Sequence, residues 1–142
     1  MTIKLIQDLN SEKYISQIFS LLQQLTIAPI LDIKLYNNII SDITNNKYQN
    51  IYVYLKNDKP IAMITLLIEQ KLIHGGNMIA HIEDLVVDKE YSGKGIAKQL
   101  LYHVINIAKN NNCYKIILDC KRELIPFYEK NGFIESGIQM RL

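Results

Sequence analysis

Between His81 and Ala97 the chain reads HIEDLVVDKEYSGKGIA, an apolar strand running into a short glycine turn that opens an amphipathic helix. The first amides of a helix have no partner within it, and the macrodipole adds partial positive charge there. A glycine turn feeding such an end lets backbone approach a phosphate or diphosphate. Glu83 and Asp84 sit just upstream, on the strand that leads into the turn. A phosphate cradle beside carboxylates suits a group-transfer enzyme. A Walker A loop is excluded, because its closing Gly-Lys-Ser/Thr is absent.

Adjacent residues of a regular strand face opposite sides. Only one of Glu83 and Asp84 can therefore aim into a cleft, unless a bulge re-aims it. We expect Glu83 to do so, with Asp84 acting partly through its backbone; a structural salt bridge is the alternative for either. Asp119 ends the otherwise apolar run CYKIILDC, where alternation groups it with Lys115 and Ile117. A carboxylate in that setting needs a partner. His81 and His103 belong to no metal-ligand constellation, so no metal is expected.

These residues need a scaffold, and the sequence predicts one. Residues 3–9 read as a strand. Residues 11–25 read as a helix that Ser11 can cap, with Tyr14, Ile18, Leu21, Leu22 and Leu25 at helical spacing. A second helix is expected over 32–46. Three strands follow, over 50–56, 60–73 and 78–88, separated by reversals at Asn57–Pro60 and Gly75–Asn77. After the glycine turn, Ile96, Leu100, Val104, Ile107 and Ala108 form a helical stripe. Residues 113–120 read as a short strand of the kind buried in a mixed sheet. A last helix over 123–131 tolerates Pro126 in its first turn and stops at Gly132, and residues 133–141 can close as a strand. The order implies a mixed α/β layered fold around a central sheet.

At 142 residues the chain is long enough for one domain with a proper core. Hydrophobic residues make up 49% and charged residues 21%, as in ordinary globular proteins. A net charge of +2 without a basic block argues against nucleic acid as a partner. No apolar run is long enough to span a bilayer, and the N-terminus lacks a signal-peptide apolar core, so a cytoplasmic protein with no membrane partner is expected. Cys113 and Cys120 lie too far apart on one strand to pair, which suits reduced thiols.

The element order, together with KLIH (Lys71–His74), HIED (His81–Asp84), CYKIILDC and FYEKNGF (Phe127–Phe133), resembles the GNAT superfamily of N-acetyltransferases, and within it the eukaryotic glucosamine-6-phosphate N-acetyltransferases. The resemblance implies a mostly antiparallel sheet flanked by helices, acetyl-CoA as cosubstrate, and direct transfer of acetyl to an amine without an acyl-enzyme. Its diphosphate loop maps onto Ser92, Gly93, Lys94, Gly95, Ile96 and Ala97; Gly95 and Ala97 fit the pattern, while Ser92 replaces the usual Arg or Gln. Leu85, Val86 and Val87 fall where a splayed strand frees amides for the pantetheine arm. Tyr128 falls where a tyrosine hydrogen-bonds the coenzyme sulfur and protonates the departing thiolate. Asp119 is implied to meet the substrate amine, and Glu83 sugar hydroxyls or a relay water. Thr26 and the Lys71, Leu72, Ile73 and His74 stretch are implied substrate contacts. Arg141 is an implied basic contact supplied across a homodimer interface, for which the apolar final segment also speaks. Leu124 departs from an asparagine common in the family. Two further readings stay open: an acetyltransferase for another small amine or a protein N-terminus, and a non-catalytic coenzyme-binding module.

Overall fold

The computed structural model describes residues 1–142. Strand β1 (Thr2–Leu5) leads through a 3-10 turn into helices α1 (Ser11–Leu22) and α2 (Ile33–Asn45). Strands β2 (Gln49–Lys56), β3 (Lys59–Gln70) and β4 (Met78–Val87) follow, then α3 (Ile96–Asn110), β5 (Cys113–Leu118) and the short α4 (Ile125–Lys130). The five strands form one sheet in sequence order, antiparallel except for the parallel β4–β5 pair that α3 crosses over to make.

Alternation along the strands splits the core into two layers. Tyr52, Tyr54, Ile64 and Leu66 face α3, where they meet Ile96, Leu100, Leu101 and Val104. Val53, Leu55 and Met63 face α1 and α2, against Tyr14, Ile18, Phe19 and Tyr36. Each such side chain, once buried, contributes about 1.5–3 kcal/mol. The β2–β3 hairpin turns on Asn57 and Asp58, both with positive φ (48° and 61°), the backbone of a tight two-residue turn. Lys13 and Tyr14 of α1 hold the Asp58 carboxylate and pin that turn to the helix.

Several expectations are corrected. The α1 cap is Asn10, whose Oδ1 accepts from the Lys13 amide at 2.8 Å; Ser11 is already helical. The helix ends at Leu22 and β1 at Leu5, earlier than the apolar pattern implied. Strand β3 stops at Gln70, leaving Lys71–Ile73 to the connection. Strand β5 is an edge rather than a buried strand: Lys115 and Ile117 are exposed while Ile116 and Leu118 pack inward. Residues 133–141 form no strand. A strand exists only by pairing, and the segment forms no ladder with β5; Gln139 Nε2 donates to Asp119, just past the end of that strand, at 3.0 Å. Ile134, Ile138 and Met140 are left 84–91% exposed.

Candidate active site

The most consequential local feature is a bulge in β4. Thr65 pairs with Glu83 and Met63 with Val86, so Ile64 opposes two residues, Asp84 and Leu85. Asp84 absorbs the extra residue at φ 52°, a conformation an Asp tolerates better than most side chains. One inserted residue reverses the facing of everything after it. Ala80 and Ile82 face α3 before the bulge, and Leu85 and Val87 face it afterwards; Val86 packs instead with Val53 and Met63 toward α1.

Strand β4 also loses its neighbour here. The β4–β5 ladder ends at Ile82–Leu118, so from Glu83 to Val87 the β5-facing edge of β4 has no strand partner. Backbone amides on that edge are available to a ligand. They open onto a cleft of about 390 Å³ lined by Leu85, Val87, Tyr91, Ser92, Gly93, Gly95, Ile96, Ala97, Lys98, Leu124, Phe127 and Tyr128.

The N-terminus of α3 forms one wall. Helix α1 is capped by Asn10 and α2 by Asp32, whose Oδ1 accepts from the Leu35 amide at 3.0 Å. Helix α3 begins after Gly95 at φ 76°, with no side-chain cap. The amides of Ile96, Ala97 and Lys98 are therefore left for an anion. A Cβ at Gly93 or Gly95 would meet nothing within 4 Å, so it is their positive φ that calls for glycine. The apolar wall formed by Leu85, Val87, Phe127 and Tyr128 suits an extended thioester arm. An uncapped helix start beside a strand edge and an apolar channel fits acetyl-CoA.

Tyr128 closes the cleft opposite the β4 edge. Its ring packs edge-on against Phe127 and Phe133, with centroids at 5.0 and 5.8 Å. Burial pushes its phenol up from the ordinary value, and nearby Cys120 adds to this. It stays a proton donor throughout the neutral range.

Across the sheet, on the α1 side, lie the acids. Ile82 faces α3, so alternation turns Glu83 the other way, and Asp84 lines a groove with Phe19, Leu22, Tyr36 and Thr65. Both carboxylates thus share one side of the sheet, contrary to the expected opposition, and neither lines the cleft. Glu83 is exposed, yet partial desolvation, then Asp84 and Asp119, push its carboxyl up. A raised carboxyl is a better proton acceptor once ionised. Asp119 lies exposed just beyond β5 and adds to the upward push on the Glu83 carboxyl, while Cys120, the next residue, does the same for the Tyr128 phenol.

Toward the β3–β4 connection the same face carries Glu69, bonded to Lys71 Nζ at 2.7 Å and His81 Nε2 at 2.9 Å. The His74 ring stacks on Tyr114 with centroids 4.1 Å apart. Lys71 and His74 thus gather at one place, whereas the Leu72 and Ile73 side chains are largely in solvent. Thr26 is exposed four residues past the end of α1, its amide bonded to the Leu22 carbonyl. Arg141 is exposed in the tail and forms no ion pair within the chain.

Two side chains expected at the cofactor do not line the cleft: that of Val86, which packs in the opposite core while its backbone stays on the open β4 edge, and that of Lys94. The Lys94 ammonium donates to the Glu90 carbonyl at 3.0 Å and lies over the Tyr91 ring. Four lining residues were not singled out as cofactor contacts from sequence: Tyr91, Lys98, Leu124 and Phe127. Lys98 was findable as the third residue of the helix that follows the glycine turn. Tyr91 offered no periodic signal.

The chain matches the model of the Acetyltransferase (GNAT) family over residues 15–133. It is 36% identical over 134 residues to a glucosamine 6-phosphate N-acetyltransferase of Trypanosoma brucei brucei, covering 92% of this chain and 90% of that one. To a probable glucosamine 6-phosphate N-acetyltransferase 2 of Oryza sativa subsp. japonica it is 42% identical over 82 residues, 58% of this chain and only about half (49%) of the rice protein. The crystal structure of glucosamine-6-phosphate N-acetyltransferase from Arabidopsis thaliana superposes with a TM-score of 0.89 at 30% identity, covering 100% of this chain and 98% of that one. With the family model matched over residues 15–133 and a relative 36% identical over 92% of the chain, this chain belongs to the GNAT acetyltransferase family.

Proposed function

We propose that this protein transfers the acetyl group of acetyl-CoA to the 2-amino group of D-glucosamine 6-phosphate, giving N-acetylglucosamine 6-phosphate for UDP-N-acetylglucosamine synthesis. The observation that carries the reading is the opening between β4 and β5 beyond Ile82 and Leu118. It joins the uncapped α3 cleft on one face to the Glu83, Asp84 and Asp119 carboxylates on the other. The similarity to glucosamine 6-phosphate N-acetyltransferases over most of the chain supports the choice of sugar.

Acetyl-CoA supplies an acetyl group activated as a thioester. The Ile96, Ala97 and Lys98 amides, with Ser92, Gly93 and Gly95, hold its diphosphate. The unpaired β4 edge at Leu85–Val87 holds the arm and donates to the oxyanion as it develops. Glu83 removes a proton from the ammonium so that a neutral amine attacks. Asp119 and Asp84 orient that amine and the sugar hydroxyls. As the C–N bond forms and the C–S bond breaks, Tyr128 donates a proton to the departing sulfur, and the proton shed by the acylated nitrogen restores the phenol through solvent. No side chain is acylated, and neither cysteine has a base and acid arranged to activate it.

Lys71 and His74 bind the 6-phosphate, Thr26 contacts the sugar, and Arg141 reaches the same phosphate from a second copy of the chain. The working unit is a homodimer in which the apolar tail from Phe133 to Leu142 pairs with the partner. The chain acts as one domain, residues 1–142, in the cytoplasm and without a metal. No helix is long and apolar enough to cross a membrane.

The test is free-thiol release from acetyl-CoA with purified protein and a panel of amines. Glucosamine 6-phosphate should give the highest kcat/KM; faster turnover of an unphosphorylated amine or a peptide N-terminus would replace this reading. Lys71→Ala should raise KM for the phosphorylated sugar but not for acetyl-CoA. Light scattering should report a dimer at micromolar concentration, and a monomer would remove the shared-site claim.

A further inference from the structure

A group of lysines at the mouth of the cleft plays no part in the chemistry above. Three elements deliver it: Lys56 ends β2, Lys59 begins β3, and Lys94 belongs to the glycine turn. Their ammonium nitrogens stand 4.9, 5.7 and 5.0 Å from the centroid of the Tyr91 ring. That ring lines the cleft, two residues before Gly93.

Three like charges around one ring repel each other, and the ring's negative faces offset only part of that. Lys59 is shared between Asp88 at 3.5 Å and Glu90 at 3.4 Å. Lys56 and Lys94 have no carboxylate partner, and Lys94 is steadied only by the Glu90 carbonyl. Two unneutralised ammonium groups, held at the rim of a site whose inner end already takes a diphosphate, suit a second and separate phosphate.

We propose that Lys56 and Lys94, with Lys59 behind them, bind the 3′-phosphate of the coenzyme's ribose, and that the Tyr91 ring holds them around it. The inference rests on the acetyl-CoA reading and extends it. The α3 amides take the diphosphate, and the lysines take the phosphate monoester one ribose away. The cluster thereby distinguishes coenzyme A from dephospho-coenzyme A, which differs only in lacking that group.

Calorimetric titration with the two nucleotides tests this without turnover. The intact protein should bind coenzyme A roughly ten-fold more tightly than dephospho-coenzyme A at low ionic strength, as expected for two charge-assisted contacts at a half-exposed site. The preference should shrink as salt is raised. In the Lys56→Gln/Lys94→Gln double variant it should fall to about two-fold or less, with dephospho-coenzyme A affinity unchanged. Lys109→Gln, in the last turn of α3, should keep the full preference. Equal binding of both nucleotides by the intact protein, or an undiminished preference in the double variant, would overturn the assignment alone. Failure of the intact protein to bind either nucleotide would overturn the coenzyme reading, and this inference with it.

Discussion

The sharpest test of the mechanism is Tyr128→Phe. The substitution removes one oxygen from a ring that is 8% exposed and leaves its contacts with Phe127 and Phe133 in place. The hydroxyl faces the cleft, so its loss strands no buried partner. Folding stability should change by about 0.5 kcal/mol or less. Coenzyme affinity should also be nearly unchanged, because one hydroxyl among many contacts is lost. A proton donor acting in the transition state contributes roughly 10²- to 10⁴-fold, which is about 3–5 kcal/mol of barrier. The assay is single-turnover thiol release with both substrates saturating, so that product release cannot mask the chemical step. The phenol is raised above its ordinary value, first by burial and then by Cys120. It therefore stays protonated over about pH 6–9, and the variant should lower the rate plateau without moving its limbs. An equal single-turnover rate in variant and parent, with thermal melts superimposed, would refute the role of Tyr128.

Other outcomes follow from the same geometry. Gly95→Ala forces a Cβ into the left-handed region at φ 76° without a steric clash, which should cost about 1–2 kcal/mol; Gly95→Asn should cost less, and equal melting temperatures for the two variants would contradict this. Glu83→Gln should raise the melting temperature at neutral pH. The parent's carboxyl is raised by partial desolvation, Asp84 and Asp119, so its contribution to stability is full below the unfolded value and is lost as pH rises through the folded one. The gap between variant and parent should close on acidification to about pH 4, and a constant gap would sink the assignment. Leu100→Ala, at a fully buried contact between α3 and the sheet, should cost about 2–5 kcal/mol in denaturant melts; a cost under about 1 kcal/mol would show that α3 packs more loosely than described.

Helices α1, α2 and α3 were legible because their apolar residues recur at helical spacing around long runs, and the glycine turn was legible because Gly93 and Gly95 sit between a strand and a helix. The identities of Glu83, Asp84, Asp119 and Tyr128 could be picked out on chemistry and family resemblance. Their arrangement could not. The side a strand residue faces depends on register, and register is a property of the pair: only against β3 does Asp84 become the extra residue that turns Leu85 and Val87 into the cleft and leaves Asp84 on the same side as Glu83, away from it. Lys94 chose the Glu90 carbonyl and the Tyr91 ring over the cleft for the same kind of reason, since partners close in space need not follow any sequence period. The composition of the tail from Phe133 suits a strand. Its hydrogen-bonding groups need a neighbouring strand, and one chain does not supply it. Local sequence thus determined which segments coil or extend and which residue types carry chemistry. Tertiary pairing decided which of those residues meet, because a single inserted residue reverses every face beyond it.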